Sequence, residues 1–197
     1  RVGALVAEGY GRVKVKIEPS TAQGVATAVI ERLASTFGSG SPSGASGFEL
    51  HVDANGSYPA GPGGRGVDEA AVRSIVELAR LGIRVVEQPF SPGHDGPAIA
   101  LRSALAASDQ PTLVLADETA DSLASALAAT TSGAADGVVL KPSRLGGLVP
   151  AAATVAALAA DRAAVGVGGM VESALGRHSL AAVAALAGVG VIGDLSP

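Results

Sequence analysis

The chain has 197 residues, 48% hydrophobic and only 16% charged, which excludes a disordered, solvated chain and leaves room for one or two domains. A net charge of −4 and 3% aromatic residues give neither a basic footprint nor stacking platforms for nucleic acid, and zero cysteines exclude disulfide scaffolds and thiolate metal sites. No run of about 18 apolar residues escapes charges or Gly/Pro breaks, and charges at Arg1, Glu8, Arg12, Lys14 and Lys16 do not fit a signal peptide. A cytoplasmic protein without a membrane partner is the expectation.

In chain order, Val2–Tyr10 reads as the end of a helix, stopped at Gly9 or Gly11. Seven β-branched runs follow as strands: 12–17, 48–55, 83–90, 112–119, 136–143, 163–169 and 189–196. Between them lie helices near 21–37, 68–81, 95–108, 121–132, 148–161 and 177–187. Within the second of these, Val72, Ile75, Val76 and Ala79 have the spacing of one buried face. The stretch at 38–47, GSGSPSGASG, reads as a flexible loop, and PAGPGGRG (59–66) as an active-site loop or a plain connector.

Repeated βα units predict a parallel sheet with right-handed crossovers. A helix ahead of the first strand implies a strand ahead of that helix, and an eight-unit barrel takes about 250 residues. The expected fold is therefore α/β, a (β/α)₈ TIM-type barrel with strands 2 to 8 only, residues 1–197 forming one incomplete barrel domain. An open doubly wound sheet is the alternative; a nucleotide-binding version would need a GxGxxG after its first strand, and none is there. A first residue of Arg fits a fragment or a processed chain. A missing strand would leave two unpaired sheet edges, so association into a homo-oligomer is a further expectation.

Barrel chemistry sits at the C-terminal ends of strands. There the sequence places polar residues where a buried strand should be apolar: Asp53 with Asn55, Glu87, Asp117 with Glu118, and Lys141. Lys14 and Lys16 share one face of the first strand, with Val13, Val15 and Ile17 on the other. Asp53, Glu87 and Asp117 stand 34 and 30 residues apart, one βα unit each time. Three hard oxygen ligands without His or Cys favour Mg²⁺ over zinc. Lysines on the expected strands 2 and 6 would face each other across such a metal. This arrangement suits removal of a proton next to a carboxylate, with Lys16 as a usable general base.

These pieces, KVK (14–16), VDAN (52–55), VEQP (86–89), ADET (116–119), LKPSRLGG (140–147) and GGMVES (168–173), together resemble the enolase superfamily. The resemblance is closest to its muconate-lactonizing branch, and within that to o-succinylbenzoate synthases of actinobacterial type. It implies Asp53, Glu87 and Asp117 as Mg²⁺ ligands, Lys16 as the base, Lys14 as its helper and Lys141 as the opposing lysine. It also implies Gly168, Gly169 and Met170 lining the carboxylate tail of a small-molecule substrate, and syn-dehydration to 2-succinylbenzoate for menaquinone biosynthesis. N-acylamino acid racemases and dipeptide epimerases of the same branch use the same ligands and both lysines.

The family's N-terminal capping domain has no counterpart here, so a non-catalytic barrel fragment is the rival from another class. Among other polar residues, His51 is expected in the core, His94 in a loop and His178 at a helix start. Ser143 and Arg144 are expected to orient Lys141 or to start a turn, and Glu172 and Asp194 to lie at the rim without an assigned role.

Overall fold

A computed structural model describes residues 2–19, 22–37, 48–64, 66–108, 112–186, 188–191 and 193. The 38–47 stretch, Arg65 and Asp194 lie outside these. The chain divides into two compact units, Arg1–Val114 and Leu115–Pro197.

The first unit opens with α1 (Val2–Ala7), which ends as expected before Gly9, whose φ of 97° ends the helix in a left-handed turn. Strands β1 (Arg12–Lys16), β2 (Glu49–Asp53) and β3 (Ile83–Glu87) pair in parallel in that order. Between and after them run α2 (Ala22–Phe37), α3 (Glu69–Ala79) and α4 (Asp95–Ala106). Helix α3 begins where Asp68 accepts hydrogen bonds from the backbone N–H groups of Ala70 and Ala71. Its face of Val72, Ile75 and Ala79 is buried as the spacing predicts, and Val76 packs half-buried against the same core. That core joins Ile30, Phe48, Leu50, Val52, Val86 and Leu101, so apolar positions on both strands and helices close over one another.

In the second unit β4 (Leu113–Ala116), which begins just ahead of the division, β5 (Gly137–Leu140) and β6 (Ala164–Val167) pair in parallel, again in chain order. Helices α5 (Leu123–Thr131), α6 (Leu148–Ala160) and α7 (Ala174–Ala184) alternate with them. Helix α5 starts in a reciprocal cap between Ser122 and Ser125. Gly137 permits the close approach of β5 to β6, because a Cβ there would collide with the Ala164 carbonyl. A separate core of Ala126, Val138, Leu140, Val155, Leu158 and Val165 supports this unit.

Two expectations need correction. The seventh strand is not formed among residues 188–191, although the amides of Gly190 and Val191 both donate to the Val165 carbonyl. These bonds set 190–191 beside β6, and most of 192–196 lies outside the described residues. Helix α7 also starts three residues earlier than expected, because Ser173 caps it through the Gly176 amide. His178 therefore sits in its second turn, within hydrogen-bond distance of the Ala174 carbonyl at 2.9 Å. No helix among the described residues is long and apolar enough to cross a membrane.

Candidate active site

The first unit gathers its polar residues where β1, β2 and β3 end. The strand register sets Lys14 beside His51, Lys16 beside Asp53, and Asp53 beside Glu87. Side-chain alternation then brings all of them to one face. Lys16 Nζ donates to Asp53 Oδ2 at 2.6 Å and to Asn55 Oδ1 at 2.5 Å. Lys14 Nζ lies 3.2 and 3.3 Å from the two Glu87 oxygens and 3.3 Å from Asp53 Oδ2, bridging the two carboxylates. Asp53 Oδ1 accepts the Asn55 backbone N–H at 3.0 Å. Asp53 and Glu87 are almost fully buried, whereas the Lys16 side chain is 64% exposed and that of Lys14 only 16%.

Buried carboxylates persist as ions only when cations and donors replace their lost water. Burial pushes the Asp53 carboxyl up, but the Lys16 hydrogen bond, the Lys14 charge and the Asn55 amide together outweigh it and hold the group below its usual range. Two carboxylates faced by two ammonium groups make a charge-balanced cluster.

Directly below lies a pair that the sequence reading only half anticipated. His51 is buried as expected, but its Nε2 sits 2.9 Å from Glu49 Oε2, and Glu49 is buried too. Glu49 was missed, although its two-residue spacing from His51 and Asp53 put it on their face. The hydrogen bond from His51 lowers the Glu49 carboxyl against the opposing effect of burial. Burial lowers the His51 imidazole despite that same hydrogen bond. Each folded-state value lies below its unfolded one, so both groups contribute stability above their unfolded pKa and lose it as pH falls. Denaturation midpoints should therefore decline as pH drops below about 6.5, the ordinary His range, and His51→Gln should flatten the upper part of that decline.

The second unit holds its own cluster. Asp117 follows β4, Lys141 follows β5, and Lys141 Nζ reaches Asp117 Oδ2 at 2.5 Å. Arg144 closes the turn after Lys141, its amide donating to the Lys141 carbonyl at 2.9 Å, and donates from Nη1 to the Asp117 carbonyl at 2.7 Å and to Oδ1 at 2.9 Å. Ser143 is exposed. Asp117, fully buried, is thus gripped at both oxygens by cations from the β5–α6 turn. Replacing Arg144 with Lys keeps the charge but not the planar fork, so a loss of about 1–3 kcal/mol is expected in chemical denaturation.

After β6, the Gly168 amide donates to the Leu140 carbonyl at 2.9 Å. A Cβ on Gly168 would lie 3.0 Å from Val139 Cγ1 and 3.5 Å from Lys141 Cε, so the bare backbone leaves room for that lysine. Met170 is exposed, and its amide donates to Glu172 Oε1 at 3.2 Å.

Among the described residues, no three acidic or histidine side chains form a ready metal site. Of the three expected ligands, Asp53 and Glu87 stand together in the first unit, and Asp117 occupies the corresponding strand end in the second. The donor chemistry fits a hard divalent cation: two buried carboxylates on neighbouring strands already share one positive charge.

A family model described as "Enolase C-terminal domain-like" matches residues 1–194. A member of the enolase superfamily from Listeria innocua is similar at 25% identity with a TM-score of 0.77, over 99% of this chain and 46% of that one. A probable mandelate racemase from Alicyclobacillus acidocaldarius is similar at 26% identity with a TM-score of 0.78, over 100% of this chain and 44% of that one. Muconate cycloisomerase from Pseudomonas fluorescens shares the fold at 21% identity and a TM-score of 0.77, over 99% of this chain and 51% of that one. The chain thus spans about half the length of the solved structures it matches. No curated protein matches it.

Proposed function

The chain belongs to the enolase C-terminal domain-like family, and from that premise we propose that it carries the catalytic residues of an o-succinylbenzoate synthase. The fold is that of a partial TIM-type barrel of this superfamily. The observation that carries the reading is the Asp53–Lys14–Glu87 bridge with Lys16 bound beside it. Asp53, Glu87 and Asp117 would hold Mg²⁺. When bound, the ion supplies positive charge beside the substrate carboxylate, which acidifies the adjacent C–H.

Lys16, once its ammonium has given a proton to solvent, removes the α-proton, and the C–H electrons move toward the carboxylate. As those electrons return to form the new double bond, the β-C–O bond breaks and Lys16 Nζ gives its proton to the departing hydroxide. One water leaves, the ring becomes aromatic, and one lysine serves on one face. Lys141 stabilises the developing negative charge, and Lys14 bridges the two carboxylates. Gly168, Gly169 and Met170 line the succinyl tail, with the Gly168 and Met170 amides already bound to Leu140 and Glu172.

A second reading, an N-acylamino acid racemase or dipeptide epimerase, is favoured by Lys141, a second amine able to exchange protons from its own strand end. The similarity to a probable mandelate racemase agrees with it. In D₂O, the synthase reading expects little α-proton exchange of N-succinyl amino acids. Exchange of both enantiomers at the rate of dehydration or faster would favour the racemase. Metal binding is tested separately: Mg²⁺ at a hundred times its dissociation constant should stabilise the protein by about 2.7 kcal/mol, and Glu87→Gln should abolish the shift.

A further inference from the structure

We propose that Asn55 is a positioning residue for Lys16, its side-chain carbonyl fixing where the amine points. This rests on the reading of Lys16 as the base. Lys16 is the most mobile type of side chain and is 64% exposed, so burial does not hold it. Two acceptors do: Asp53 Oδ2 at 2.6 Å and Asn55 Oδ1 at 2.5 Å. Asp53 Oδ2 is shared with Lys14 at 3.3 Å, and Asn55 Oδ1 is the second acceptor that holds the Lys16 amine.

The backbone around Asn55 is built to aim that oxygen. Asn55 has a φ of 45°, in the left-handed region that side chains other than glycine enter at a cost, and Asn more readily than most. Its own N–H binds Asp53 Oδ1. On either side, the Ala54 amide donates to the Glu87 carbonyl at 3.0 Å and the Gly56 amide to the Gln88 carbonyl at 2.7 Å. Gln88 also has a positive φ, of 38°, so the loop after β2 is fixed to an equally constrained turn after β3. If conformation were the only requirement, glycine would serve at position 55 with less strain. What asparagine adds over glycine there is an amide whose Oδ1 lies 2.5 Å from Lys16 Nζ.

The test exploits the sequence: Lys14, Lys16 and Lys141 are the chain's only lysines. A brief pulse of an amine acylating reagent at fixed pH, read by peptide mass spectrometry, reports each separately and needs no turnover. In Asn55→Gly, which keeps the left-handed turn, Lys16 should be acylated at least threefold faster, while Lys14 and Lys141 stay within a factor of about 1.5. Asn55→Asp, which keeps an acceptor in place, should leave Lys16 at or below its original rate. In a turning-over preparation, Asn55→Gly should lower kcat at least tenfold with KM within twofold. Unchanged Lys16 labelling in Asn55→Gly, or equal acceleration at all three lysines, would overturn the proposal. Labelling as expected in a protein that makes no 2-succinylbenzoate would uphold the contact and refute only the assigned reaction.

Discussion

Replacing Lys16 with alanine is expected to lower 2-succinylbenzoate formation by about a thousandfold, within the 10²–10⁴ contribution of a positioned general base. Loss of the Lys16 amine leaves on that face only Lys14, which is held between Asp53 and Glu87, so nothing is free to take the α-proton or return it to the hydroxide. The fold should tolerate the change. The side chain is mostly in solvent, and Asp53 keeps the Lys14 ammonium and the Asn55 amide as partners. Melting temperature should therefore shift by only a few degrees, about 1 kcal/mol in a domain of this size. A variant that stays folded and still turns over near the original rate would remove Lys16 from the mechanism.

Lys14→Met should show the opposite balance, with the larger effect on stability. Lys14 is the ammonium bridging Asp53 and Glu87, both carboxylates are almost wholly buried, and its own side chain is only 16% exposed. Removing one partner of such a pair leaves charge in a medium that solvates it poorly, a loss of about 3 kcal/mol. The double variant Lys14→Met/Glu87→Gln removes charge from both sides and should recover a substantial part of that loss. Mg²⁺ should also stabilise Lys14→Met more than the unsubstituted protein, because the ion supplies the charge that the lysine provided. Chemical denaturation with and without Mg²⁺ measures both effects. Additive single and double variants would show that Lys14 and Glu87 are not energetically coupled.

Much of this arrangement was legible in the sequence because two periodicities constrain it. The βα repeat sets Asp53, Glu87 and Asp117 at equivalent strand ends, and the twofold alternation of strands sets Lys14 and Lys16 on one face. Observed strands match the expected ones to within a few residues, and the apolar stripe of α3 is buried as read. What the sequence did not reveal depends on side-chain reach. Arg144 lies three residues past Lys141, a spacing equally suited to a plain turn, and only the fold brings its guanidinium to Asp117. Asn55 shares the parity of Asp53, a signal that suits support of the site and a plain loop cap equally, since Asn is common in left-handed turns whatever its amide does. The expected seventh strand, 189–196, falls mostly outside the described residues. Glu49 could have been found, as its parity with His51 and Asp53 is plain in the numbering.

The proposed reaction is a Mg²⁺-dependent dehydration. Its most direct test follows the ultraviolet absorbance of the cyclohexadiene precursor as it becomes 2-succinylbenzoate, with Mg²⁺ and with chelator. Turnover is expected with Mg²⁺, should stop in chelator and should return when Mg²⁺ is restored. Turnover undiminished by chelator, or a folded, Mg²⁺-bound protein that forms no 2-succinylbenzoate, would contradict it.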